Sequence, residues 1–373
     1  MHNPYAGVAW DTHRQVKSLS HTHITYQSVF DKAVGLGFEH IPATDYTPSE
    51  PRYPLSDHFS NIPSGVIGSP NSEKVAVTDN YHYNALGSTL AGYGYVLVDG
   101  KAVKEECVDY ETLFDQIFES LQYEDGGGVT INHPVYASNN AYAFEQRLNQ
   151  CSERLDYDDR VLGIEVYNCG FEADSQVAKG YGHGYCYANM FPLWDAILST
   201  GRRCYGFSVI DWFDQAQWDE NGDGENEVHN YGAHMLLVPA LDEHECLKAY
   251  RNGAFYGVIR DTGLRFTNIG LNGNIFFVTV NKTARLRIIT DSRISEVEEA
   301  TEATFVLKDS DIFVRVEAID DTDTQDGIIF SNAIMLKTKE EVDGGGDEPG
   351  SEDEEKQRRE KRKRFLLLLG GFL

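Results

Sequence analysis

The sequence predicts an α/β chain, built as a barrel or a doubly wound sheet, that gives way after about residue 260 to antiparallel β structure. Three observations carry this. From residue 1 to about 260, short apolar runs alternate with helically spaced segments and Gly-rich turns, the rhythm of strands joined by helices. From 261 to 338, apolar and polar residues alternate with the two-residue period of half-buried strands, as in ARLRIIT and DIFVRVEAI. From Lys339 to residue 373 the composition collapses to an acidic Gly-rich stretch, a basic run (KQRREKRKR) and a short apolar end, the texture of a disordered tail. The expected units are therefore 1–260, 261–338 and 339–373.

Taken in order, Ser28–Gly37 has helical spacing at Val29, Ala33 and Leu36, with Gly37 as the stop. FEHIPATDY follows as a strand ending at Asp45, with His40 in mid-strand as a structural residue. GGGVTINHP is a Gly turn, a β-branched run and a His-Pro stop at His133. VLGIEVYN is a buried strand ending near Glu165 and Asn168. A helix runs from Trp194 and closes near Gly201, and CYGFSVIDWF is a strand ending at Asp211. The later runs (RFTNIGL, IFFVTV, ARLRIIT, TFVL, DIFVRVEAI, GIIFSNAIML) are separated by Asn-Gly, Asp-Ser and Asp-Asp turns, which predicts a small antiparallel β-sandwich-like unit.

Charge excludes some functions. With 59 Asp and Glu against 32 Lys and Arg, the net charge is −27. A phosphate-backbone binder needs a basic stripe, so nucleic acid is not the expected partner. No run approaches the ~20 apolar residues that span a bilayer, and residues 1–20 show no signal-peptide pattern, so a cytoplasmic location is the default expectation. The six cysteines (107, 151, 169, 186, 204 and 246) form no CxxC pair, which argues against zinc ribbons and for free thiols.

His21-Thr22-His23 is the sharpest local feature. Residues i and i+2 of a strand face one side, so the two imidazoles present to one point, as a divalent cation requires. Asp45, Glu73, His82, His133 and Asp211 follow at or near strand ends. Imidazoles mixed with carboxylates suit Zn²⁺, Mn²⁺ or Fe²⁺, and a carboxylate such as Glu73 can bridge two cations ~3.5–4 Å apart.

These stretches resemble a known family, the PHP (polymerase and histidinol phosphatase) metallohydrolases, and within it the CehA/McbA-like branch. The matching segments are NPYAGVAWDTH, KSLSHTHIT, GFEHIPATDY, PNSEK, HYNALGS, GGVTINHP, GIEVYN, WDAILSTGRRCYG and VIDWF, followed by GAFYGV and DIFVRVEAIDD. The resemblance covers about residues 3 to 338. It implies a distorted (β/α)7 barrel with a metal centre at the strand carboxyl ends, followed by the β unit, and it leaves export open. His21 and His23 fall on the HxH ligands, Asp45 on the aspartate of TDH, Glu73 on the bridging carboxylate, His82 and His133 on second-metal ligands, and Asp211 on the aspartate of DxH. Three departures concern a third metal: Tyr46 replaces the His of TDH, Phe213 that of DxH, and no His follows HxH closely. The implied centre is mono- or dinuclear, with one or two transition metals.

Other residues have two readings. Arg202 and Arg203 either clamp a phosphoryl oxygen or are surface residues. His183, in an aromatic loop, either protonates a leaving group or is a surface His. Glu165 and Asn168 read as supports behind the ligands. His229 and His234 are either candidates to replace the missing DxH histidine or unrelated to the site. Asp219, Asn221 and Asp223 resemble the start of a calcium loop, but the twelfth position is Asn230 rather than Glu, so calcium there would be weak and a solvated acidic loop competes. The expected function is a metal-dependent hydrolase, a phosphoesterase by resemblance, that uses a metal-activated hydroxide on a small-molecule ester. The alternatives are a carbamate or carboxyl ester substrate, or a non-catalytic binding module stabilised by metal.

Overall fold

The structure is a computed structural model of the 373-residue chain. It describes residues 1–24, 27–44, 52–76, 81–90, 95–98, 101–104, 108–134, 141–168, 190–212, 232–320 and 327–344. In chain order the strands are β1 (Arg14–Ser18), β2 (Thr22–His23), β3 (Glu73–Val75), β4 (His82–Leu86), β5 (Tyr95–Val98), β6 (Lys101–Lys104), β7 (Gly128–Asn132), β8 (Val161–Asn168), β9 (Tyr205–Val209), β10 (Asp211–Trp212), β11 (Gly232–Val238), β12 (Phe255–Ile259), β13 (Phe266–Asn272), β14 (Ile275–Thr290), β15 (Ile294–Val306), β16 (Phe313–Asp320), β17 (Gly327–Ser331) and β18 (Ile334–Met335). The helices are α1 (Gln27–Gly35), α2 (Tyr110–Glu119), α3 (Ala141–Leu155), α4 (Phe191–Leu198), α5 (Glu243–Asn252) and α6 (Lys339–Asp343).

The expected (β/α)7 barrel is not what forms; the described residues are mostly β, with large antiparallel sheets. A nine-stranded sheet has the order β1-β11-β12-β17-β16-β14-β13, with β15 added on β14 and β18 on β16. All its pairings are antiparallel. A five-stranded sheet has the order β3-β4-β7-β8-β9, and only its β7-β8-β9 part is parallel. There α3 and α4 connect the strands as crossover helices require. The α/β rhythm misleads at β11 and β12. Helix α5 lies between them, yet they pair antiparallel, Gly232 opposite Ile259.

Several elements match their local signals. The GVTIN run, all eight residues of VLGIEVYN and the YGFSV run are strands, and every residue in them is buried. Of the FEHIPATDY segment, by contrast, the described residues 38–44 make only isolated bridges, at His40 and Thr44. IFFVTV and ARLRIIT are one 16-residue strand with register shifts between Thr279 and Leu286. The antiparallel pairing of β13–β18 is partly consistent with a sandwich. The segment read as tail opens with α6, whose Thr338 completes a capping box with Glu341; residues 345–373 lie outside the described part. Among the described residues, no helix is long and apolar enough to cross a membrane.

A buried ion network joins α4 to the nine-stranded sheet. Arg315 donates to both oxygens of Asp195 at 2.7 and 2.8 Å and to Glu317 at 2.6 Å. Gly163 marks close packing within the parallel sheet. A Cβ there would lie 1.9 Å from the Tyr205 carbonyl oxygen, so no larger residue fits without moving β8 off β9. Cys151, Cys204 and Cys246 are buried.

Candidate metal centre

The site forms where the ends of short strands converge. β2 pairs in parallel with β10, Asp211 opposite Thr22, and the Asp211 N–H donates to the His21 carbonyl. β4 carries His82 and stands between β3, which carries Glu73, and β7, which ends just before His133. Thr44 fixes β2 from the other side: its hydroxyl oxygen accepts from the Thr22 N–H at 2.7 Å and its hydroxyl hydrogen donates to the Thr22 carbonyl at 2.9 Å. His133 and Asp211 hold left-handed φ values of +26° and +59°. Non-glycine residues rarely adopt such conformations, and they mark positions that surrounding bonds enforce.

Among the described residues, two groups of three side chains bring ligand atoms within 4.8 Å of one another: His21, His23 and Glu73, and Glu73, His82 and His133. Glu73 belongs to both and divides its oxygens. Oε2 lies 3.2 Å from His23 Nε2 and 3.6 Å from His21 Nε2. Oε1 lies 2.9 Å from His82 Nδ1 and 3.3 Å from His133 Nε2, and it accepts from Asn132 Nδ2 at 3.1 Å. Asp211 Oδ1 faces the first group, 3.4 Å from His21 Nε2 and 3.7 Å from His23 Nε2. His21 Nε2 is fully buried and makes no hydrogen bond. An orphaned imidazole nitrogen between two carboxylates is the mark of a ligand position, because a buried polar atom without a partner is otherwise costly. The residues therefore fit divalent cations. Their exposure differs: the His21 side chain is fully covered, whereas that of His82 is 27% exposed, so the site opens on the His82 side.

The electrostatics agree. Burial alone would lower His21, but Asp211, Glu73 and Glu165 outweigh it and hold the ring well above the usual histidine value. His133 is likewise raised against burial, by its bond to Glu73 and by nearby Glu165 and Asp211. Burial would raise Glu73, but the His21 charge and the bonds from His133 and His23 hold it well below the usual carboxylate range. The imidazoles thus offset a buried carboxylate that cations would otherwise neutralise.

The expected residues separate cleanly. His21, His23, Glu73, His82, His133 and Asp211 come together, with Glu165 and Asn168 directly behind. Arg202 and Arg203 do not join them. Arg202 is paired with both oxygens of Asp156, and Arg203 donates to the Asp159 and Val161 carbonyls. Both precede β9, and Asp211 follows it, roughly 25 Å away at strand rise. His234 is no stand-in ligand. Its Nε2 accepts from the Ser208 N–H at 2.9 Å, and burial pushes the ring down to about 3. His40 sits between Ser18 and Ser69 and is also pushed to about 3 by burial; it is structural. Asp45, His183, His229 and the Asp219, Asn221 and Asp223 loop lie outside the described residues. Sequence reasoning missed Asn132 and Thr44. The only signal for Asn132 was its place beside His133 at a strand end.

No protein-family model and no curated protein matches the chain. Among solved structures it is similar to a two-domain protein from Bacteroides vulgatus ATCC 8482 that contains a predicted PHP-like metal-dependent phosphoesterase, with 14% identity and a TM-score of 0.40 over 83% of this chain and 91% of that one. A TM-score at that level carries neither fold nor chemistry across.

Proposed function

We propose that this chain is a metal-dependent hydrolase of phosphate esters with a dinuclear centre. One cation site is His21, His23, Glu73 and Asp211; the other is Glu73, His82 and His133. The observation that carries this is the division of the two Glu73 oxygens between two histidine pairs. Imidazole with carboxylate suits zinc, manganese or iron. When bound, such ions supply Lewis acidity to a water and to the ester oxygens.

The protein's own groups do the rest. Among the described residues, the three carboxylates Glu73, Asp211 and Glu165 carry less charge than two divalent ions supply, which favours an anionic substrate. Buried His21 and His23 close the back of the site, and His82 forms its open edge. The phosphoester class and the CehA/McbA-like branch rest on the order of the sequence motifs, in which Asp45 is a further ligand or a water-orienting group. Residues 1–260 carry every site residue and are read as the catalytic unit, with 261–338 as the accessory β unit.

The test is hydrolysis of chromogenic phosphomonoesters and phosphodiesters by protein loaded with zinc or manganese. Wild type turns them over, and His21→Ala combined with His23→Ala abolishes both metal retention and turnover. A loaded wild type as inert as the double variant would leave a metal-stabilised binding module instead. Turnover of carboxyl esters or carbamates alone would keep the hydrolase and replace its substrate class.

A further inference from the structure

Glu165 belongs to neither three-residue ligand group, yet its carboxylate reaches both. Oε1 lies 2.6 Å from His21 Nδ1. Oε2 accepts from the His133 backbone N–H at 2.7 Å and from Asn168 Nδ2 at 3.2 Å. The same Asn168 nitrogen donates to Asp211 Oδ2 at 2.9 Å. Glu165 is 1% exposed, so these donors take the place of water.

We propose that Glu165 is a positioning residue that couples the two cation sites, by fixing the tautomer of His21 in one and the backbone of His133 in the other. This rests on the dinuclear reading above. A carboxylate only accepts, so Oε1 holds a proton on His21 Nδ1, and Nε2, which faces Glu73 and Asp211, is the nitrogen left to give its lone pair to a cation. At the other oxygen, the His133 N–H is held while that residue keeps its left-handed φ of +26°, which turns its ring toward Glu73. Through Asn168 the same carboxylate also orients Asp211, so ligands on three chain segments share one anchor.

The donor count makes a carboxylate necessary. In Glu165→Gln, an amide oxygen turned to His21 sets the amide NH2 against the His133 N–H and the Asn168 NH2, with no acceptor among them. Turned the other way, the NH2 faces His21 Nδ1 and moves its proton to Nε2, the nitrogen that must carry the lone pair. Either arrangement misorients a ligand, and the shared neighbourhood spreads the defect to both sites.

The test is stepwise zinc titration of metal-free wild type and Glu165→Gln, with ¹⁵N NMR of the zinc-loaded wild type. The proposal expects zinc affinity to fall about 10- to 100-fold at both sites, the range for losing a partner of a metal-bound histidine. It also expects His21 to carry its proton on Nδ1. A Glu165→Gln protein that keeps wild-type affinity at either site overturns the coupling. So does a loaded wild type with the His21 proton on Nε2, and that measurement holds even if the variant fails to fold. Wild type that takes up no zinc sinks the dinuclear reading itself, which separates the two failures.

Discussion

His23 Nε2 lies 3.2 Å from Oε2 of Glu73, a residue fifty positions further along the chain. One side chain is on β2 and the other on β3, strands of different sheets. Their meeting defines the first of the two proposed cation sites. Glu73→Gln keeps the size of the side chain and removes its charge. It should reduce retained zinc from two ions per chain to one or fewer, read by elemental analysis after dialysis. Retention of two would remove Glu73 from the centre.

Asp261 provides a pH test away from the site. It pairs with Lys17 at 2.8 Å, both side chains being 8% exposed, and with Arg265 at 2.5 and 2.9 Å. Burial would raise its carboxyl, but Arg265 and Lys17 hold it far below its ordinary value. A depressed folded-state pKa stabilises the fold above the unfolded value of 3.8 and loses that contribution as pH falls through the folded one. Asp261→Asn should therefore cost about 3 kcal/mol at pH 7. In urea unfolding, its gap from wild type should narrow below about pH 4. A gap independent of pH would contradict the ion pairing.

Arg315 is the riskiest charge to remove. Substitution by Met leaves Asp195 buried without its guanidinium and should destabilise by about 3–5 kcal/mol. Adding Asp195→Leu removes the stranded carboxylate and should recover much of that loss. Denaturant unfolding of the two variants distinguishes this from simple loss of packing, which the second substitution would not repair.

Gly163 links packing to the site, because it lies two residues before Glu165 on β8. In Gly163→Ala the new Cβ meets the Tyr205 backbone. The variant should unfold at lower denaturant and bind zinc more weakly than wild type. Unchanged zinc affinity in a folded Gly163→Ala protein would show that β8 does not set the position of Glu165.

The parts legible in the sequence are those decided by neighbours in the chain. VLGIEVYN is apolar enough to be buried on both faces, so its strand could be read directly. His21, His23, His82 and His133 announce themselves by residue type. Pairing partners were not legible. A helix between β11 and β12 looks like a parallel crossover, but nothing local shows that they run antiparallel and that β12 also pairs with β17. β15 was read only at its TFV end, because EVEEATE is an exposed edge strand and lacks the alternation of a half-buried one. Arg202 and Arg203 misled because they adjoin a site-bearing strand, but at its opposite end.

The bridging role of Glu73 is tested most directly by anomalous X-ray diffraction from zinc-loaded crystals. Two peaks should flank the Glu73 carboxylate about 3.5–4 Å apart, one beside His21 and His23 and the other beside His82 and His133. A single peak, a third one in the same cluster, or no peak there would contradict the dinuclear centre.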